Sequence, residues 1–186
     1  MLTVVQSTCF VSVCIVSIPQ GKNKKIRSYT LFPVPSRRAL NGVLLNVLFF
    51  GKHLFCNTKT IAIELLEFGL EPCHVNQGYT KCSALPLGNQ ALITSDTSIA
   101  KCAKEHGIDV LQIQEGHITL PGYDYGFIGG CASFAPRGGI NTVFFCGDLS
   151  GHPDAHKIES FCDFHNFGII NLSQNRLFDT GTIFMI

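Results

Sequence analysis

The stretch Gly88-Asn89-Gln90-Ala91-Leu92-Ile93-Thr94-Ser95-Asp96 reads as a turn, a buried strand and the opening of a helix. Gly88-Asn89-Gln90 supplies the turn, and Ala91 to Thr94 is the apolar run. Ser95-Asp96 offers a helix cap, after which Ile99, Cys102 and Ala103 recur at i, i+3 and i+4 on one face. Gly107 stands where a helix ends in left-handed backbone, and Asp109-Val110-Leu111-Gln112-Ile113 reads as the next strand.

The same unit recurs on both sides. Downstream, Thr142-Val143-Phe144-Phe145-Cys146 is a strand, Pro153 and Asp154 suit a first helical turn, and Ile158, Phe161 and Cys162 repeat the apolar stripe. Gly168 is expected to end that helix before the strand Ile169-Ile170-Asn171-Leu172. Upstream, Gly51-Lys52-His53-Leu54-Phe55, a helix from about Thr60 to Phe68, Gly69 and Pro72-Cys73-His74-Val75 make an earlier copy. Between copies lie Gly78-Tyr79-Thr80-Lys81-Cys82-Ser83 and Gly122-Tyr123-Asp124-Tyr125-Gly126-Phe127-Ile128-Gly129-Gly130-Cys131. Each carries a Gly-Tyr and then a cysteine at the expected start of a strand. Repetition of this kind predicts a pseudo-symmetric α/β array in which each unit buries its face on the next.

With 186 residues, 46% of them hydrophobic and 15% charged, the chain has the material for one core and is not disordered. Its charge is divided. Residues 1–60 carry eight basic side chains and no acidic one, whereas residues 61–186 carry six basic and thirteen acidic. This sets residues 1–38 apart as an aberrant or poorly ordered basic segment, truncated or frame-disrupted, ahead of a repeat domain over 39–186. The apolar run from Met1 to Ile18 is followed, not preceded, by Lys22, Lys24, Lys25 and Arg27, so it does not read as a signal peptide. Its length and its Gln6, Ser7 and Thr8 disfavour a membrane anchor.

Nine cysteines with no C-x2-C pair argue against a disulfide framework and for reduced thiols in the cytoplasm. No metal or cofactor is expected. Cys73-His74 with Cys82 is the nearest approach to a metal cluster, and His53, His74, His106 and His165 read as surface or satisfied structural histidines. The basic cluster from Lys22 to Arg38 lacks interleaved aromatics, and no P-loop, dinucleotide fingerprint or G-x-S-x-G occurs. Nucleic-acid binding, phosphate chemistry and serine hydrolysis therefore find no support.

Four segments carry a resemblance: Asn76 to Cys82, Ala91-Leu92-Ile93-Thr94-Ser95-Asp96 through Leu111, Pro121 to Gly130, and Asp179-Thr180-Gly181-Thr182-Ile183-Phe184. Together they resemble a family of uncharacterised bacterial proteins of the pentein fold, the five-bladed α/β propeller of guanidino-group modifying enzymes. The resemblance covers about residues 40–186. It implies ββαβ blades around a channel lined by the first strand of each, here an incomplete propeller. It also implies a small-molecule substrate, a guanidino or amidine compound, and a homo-oligomer is open as the way an incomplete ring closes.

Enzymes of that fold use a cysteine nucleophile, a histidine acid–base and carboxylates that grip a cation. Cys82 follows Lys81, which favours a thiolate, and Cys131 follows Gly129-Gly130, whose N–H groups can face a developing negative charge. His152, in a Gly-flanked loop entering a helix, is the base candidate. It lies four residues before His156, and His117 reads as a turn residue. Asp96, Asp148 and Asp124 are the carboxylates; the first two also suit helix capping, worth about 1 kcal/mol, and Asp124 does not. Tyr79, Tyr123 and Tyr125 can stack on a planar cation. The residues leave open a metal-independent Cys/His hydrolase or transferase, a non-catalytic binding module, and a fragment without function.

Overall fold

The computed structural model describes residues 46–61, 65, 66, 69–181 and 183; the basic segment 1–38 and most of the helix expected from Thr60 to Phe68 lie outside them. The described chain runs β1 (Leu48–Phe50), β2 (His53–Cys56), β3 (Glu71–His74), α1 (Thr80–Ser83), β4 (Ala84–Leu87), β5 (Ala91–Thr94), α2 (Thr97–Glu105), β6 (Asp109–Gln112), α3 (Ile128–Cys131), β7 (Ala132–Arg137), β8 (Ile140–Phe145), α4 (Ala155–Phe164) and β9 (Phe167–Asn171).

These strands make three separate three-stranded sheets, β1-β2-β3, β4-β5-β6 and β7-β8-β9. In each, the first strand pairs antiparallel with the second and the third pairs parallel to it. The antiparallel pairs close through tight turns. Gly138-Gly139, with φ of 58° and 84°, supplies the two left-handed residues that a two-residue hairpin between β7 and β8 requires. The parallel pairs need a crossover, which α2 provides between β5 and β6 and α4 between β8 and β9.

The expected propeller is not what the described residues build. They form an α/β arrangement of three small sheets, each ending in its own edge strands, with no closed sheet or propeller seen among them. Side-chain layers, rather than a continuous backbone ladder, join one sheet to the next. Alternate residues of β5 face opposite ways: Ala91 and Ile93 pack with Val143, Phe145, Ile158 and Cys162, while Leu92 packs with Ile99, Cys102, Ala103, Phe55 and Cys73. Helix α2 therefore joins the cores of the first and middle sheets, and α4 those of the middle and last. Both faces of β5 are buried, which accounts for its uninterrupted apolar run.

Helix α2 begins at Asp96, whose carboxylate accepts the Ile99 N–H at 2.9 Å. It ends with Gly107 N–H on Lys104 O and Ile108 N–H on Ala103 O, the paired bonds of a left-handed C-terminal turn. In α4 that place is taken by Asn166, at φ 61°, and not by Gly168, which lies inside β9 opposite Thr142. Asn tolerates left-handed backbone, so glycine spacing misplaced the helix end. Cys82 and Cys131 lie in the one-turn helices α1 and α3, two residues and one residue respectively before the strands they were expected to start. No helix among the described residues is long and apolar enough to cross a membrane.

Candidate functional site

The two Gly-Tyr segments converge where α1 and α3 pack together. A Cβ on Gly129 would lie 2.5 Å from Lys81 O and would also strike Ala84 O, so only glycine lets the two turns meet. The Lys81 ammonium then reaches across, donating to Gly129 O at 2.9 Å and Gly181 O at 3.2 Å. Buried Asn46 completes this junction. Its Oδ1 accepts the N–H groups of Lys81 (2.9 Å) and Cys82 (3.3 Å), and its Nδ2 donates to Cys82 Sγ at 3.2 Å.

Cys82 thus has a donor on its sulfur and a cation beside it, both of which favour the thiolate. Burial outweighs them and holds its thiol above the ordinary value. Cys131 is not its counterpart. Aligned by their helices, Thr80-Lys81-Cys82-Ser83 matches Ile128-Gly129-Gly130-Cys131, which pairs Cys82 with Gly130 and Cys131 with Ser83. The Cys131 side chain is fully buried, its S–H points at Ile128 O at 3.4 Å, and its thiol is pushed far up by burial.

Asp179 ties the closing segment to this junction. Its Oδ2 accepts the Phe127 N–H at 2.8 Å and its Oδ1 the Gly181 N–H at 2.7 Å. A Cβ on Gly126 would lie 2.5 Å from Asp179 Cβ, and one on Gly130 would enter the carboxylate itself. The glycines of the Gly126–Gly130 segment make room for a buried anion, and the turn it holds presents Phe127.

Phe127 is the centre of an aromatic face. Tyr79 stacks on it at 6.4 Å and 25°, and Tyr125 meets it edge-on at 6.1 Å. Tyr79 and Phe127 precede α1 and α3 respectively, so the stack repeats the symmetry of the two turns. The Tyr125 hydroxyl donates to Glu115 at 3.1 Å, and the carboxylates of Glu115, then Asp124 and Asp96, hold its phenol above the usual range. None of these three carboxylates has an ion-pair partner among the described residues. Tyr123, two residues before Tyr125, is 61% exposed.

The other expected site residues sit elsewhere. His152 is buried against the His117 ring (5.4 Å), with its Nδ1 accepting the Asp154 N–H at 3.0 Å. Burial first, and then His117, lower its affinity for a proton. It belongs with Asp154, which takes the Gln114 N–H (2.7 Å) and Lys157 (2.7 Å), and makes no hydrogen bond with Cys82 or Cys131. Asp148 accepts from Ser150 N–H, Ser150 Oγ and Asn171 Nδ2 and so ties the turn at Leu149–Gly151. Asp96 caps α2 and also takes Gln77 Nε2 at 3.3 Å, which joins it to the Tyr79 turn.

A separate set of ligand-type atoms converges at the first sheet. Cys73 Sγ lies 3.6 Å from His53 Nδ1 and 3.5 Å from His106 Nε2. Spacing along the chain groups Cys73 with His74 and Cys82 instead, because the three residues that converge come from β2, β3 and the end of α2. Asn46, Asp179, Phe127 and Glu115 were not singled out, although Asp179 heads the Asp179-Thr180-Gly181 stretch that marks the closing segment.

Residues 23–184 match a family described as a family of unknown function, DUF6873. The chain belongs to that family. In this DUF6873 chain the match takes in both turns, the aromatic face and Asp179, and it extends forward into the basic segment. No curated protein and no solved structure matches it.

Proposed function

We propose that this DUF6873 protein binds a small planar cation, a guanidino or amidine compound, on the face made by Tyr79, Phe127 and Tyr125. One observation carries this reading: Glu115 bonds the Tyr125 hydroxyl, the charges of Asp124 and Asp96 also reach that phenol, and none of the three has an ion pair among the described residues, beside the partly exposed rings of Tyr79, Tyr125 and Phe127. An aromatic face attracts a cation through its quadrupole, and a carboxylate pairs with a flat amidinium through two parallel hydrogen bonds. The binding is non-catalytic in this reading, since burial keeps Cys82 protonated near neutral pH and His152 lies in another cluster.

A second reading makes Cys82 the nucleophile of a hydrolase or transferase acting on the same compounds. The Asn46 donor on its sulfur and the neighbouring Lys81 favour it. A cytoplasmic setting would suit either activity, since the seven cysteines among the described residues are free thiols.

The chain has four tyrosines and no tryptophan, so tyrosine fluorescence reads this face directly. Methylguanidinium is expected to change the emission saturably, and Asp124→Asn to weaken binding several-fold. Equal binding of neutral methylurea would refute the cation reading, and release of a modified product would favour the second.

A further inference from the structure

We infer that His53, Cys73 and His106 form a site for a zinc-type divalent metal ion, with its fourth position facing Glu71. Each residue offers one ligand atom, and the three atoms lie within 4.8 Å of one another. Two of the three edges have the length found in a tetrahedral coordination shell. With metal–nitrogen bonds of about 2.0–2.1 Å and a metal–sulfur bond of about 2.3 Å, the N···S edge of a tetrahedron is about 3.5 Å. The two N···S separations here are 3.6 and 3.5 Å.

The topology assembles the set. His53 pairs with Glu71 and Phe55 with Cys73 in the parallel ladder, so His53 and Cys73 stand diagonally across β2 and β3. Helix α2 of the middle unit ends over them at His106. The His106 ring is already turned for ligation. Its Nδ1 lies 2.8 Å from the Cys102 carbonyl, which can only accept, so Nδ1 carries the proton and Nε2 presents its lone pair towards Cys73. A backbone carbonyl on the far nitrogen is the usual way a protein orients a ligating imidazole.

Glu71 supplies what a fourth position needs. Its Oε2 lies 3.3 Å from His53 Nδ1, close to the N···O edge of about 3.4 Å expected when both atoms hold one ion. A thiolate and a carboxylate together would balance the charge of a divalent cation. Cys73 is buried beneath the site, while His106 stands at its exposed edge and leaves a path for entry. Soft sulfur with two imidazoles selects zinc or cobalt over magnesium or calcium.

The test uses the full chain, kept reduced and stripped of metal with a chelator, titrated with cobalt(II) and then zinc(II). Cobalt is expected to give a thiolate charge-transfer band in the near ultraviolet with four-coordinate visible bands, saturating at about one ion per chain and bleached by zinc. Cys73→Ser should abolish the charge-transfer band, and His106→Gln should weaken binding by about 100-fold or more. His156→Gln, at a fully exposed histidine, should change neither. Should Cys73→Ser fail to fold, His106→Gln at the exposed edge, checked by circular dichroism, carries the test. Absence of the charge-transfer band in the unmodified chain, or its survival in folded Cys73→Ser or at full affinity in folded His106→Gln, would overturn the site.

Discussion

The carboxylate of Asp179 occupies the space that a side chain on Gly130 would need. Forty-nine positions separate the two residues in sequence, yet each explains the other. The glycine is there because the carboxylate must sit against the α3 turn to collect the Phe127 and Gly181 N–H groups. Gly130→Ala is therefore expected to destabilise the fold by about 1–3 kcal/mol through overpacking. Asp179→Ala removes the acceptor of two part-buried N–H groups and should cost about 1–3 kcal/mol in all. Urea unfolding measures both, and a Gly130→Ala chain as stable as the parent would refute the packing argument.

Thiol chemistry should be slow and ordered. Burial holds Cys82 above the ordinary thiol value, drives Cys131 further up, and pushes Cys162 up to about 12. Alkylation by iodoacetamide, read by peptide mass, should reach Cys82 well before Cys131 and Cys162, and only at alkaline pH. Asn46→Ala removes a donor to the sulfur and should move the Cys82 profile to still higher pH. Fast labelling of Cys82 at neutral pH would instead support the nucleophile reading.

Stability should fall on mild acidification. His152 is buried, with its proton affinity lowered by burial and by His117 against the opposing pull of Asp154, which Lys157 partly neutralises. Its unfolded value is about 6.5. Below that pH the unfolded chain takes up a proton that the native chain resists, so native stability declines as pH falls towards the lower folded value. Melting temperatures between pH 7.5 and 5.5 should therefore drop, and less steeply in His152→Gln. A flat profile would contradict the burial assigned to His152.

The phenol of Tyr125 reports the field of the acidic face. Glu115 is the largest cause of its upward shift, through both the hydrogen bond and the charge. Glu115→Gln should bring the Tyr125 ionisation down towards the ordinary tyrosine range, seen as earlier phenolate absorbance in an alkaline titration. No change would place Glu115 away from the ring.

Local chemistry in the sequence carried far, and long-range juxtaposition did not. The strand Ala91–Thr94, the Asp96 cap and the Gly107 stop are each written in a few adjacent residues, and all three appear in the structure. The repeated unit is visible too, as three sheets with the same strand order and pairing. How those sheets are disposed is not local information, and the expected propeller was wrong for that reason. The pairing of Cys82 with Cys131 failed by one residue, since one-turn helices shift the register that a strand reading assumes. Asn46, Asp179 and the His53–Cys73–His106 set depend on contacts between distant segments, which spacing along the chain does not encode.

The Tyr79–Phe127–Tyr125 face is proposed to select a planar positive charge. The most direct measurement is calorimetric titration of the full chain with benzamidine and with its neutral counterpart benzamide. Saturable heat for benzamidine alone, weakened by added salt as a charge-dependent contact must be, is the expected result. Equal binding of the two compounds, or binding of neither, would contradict the account.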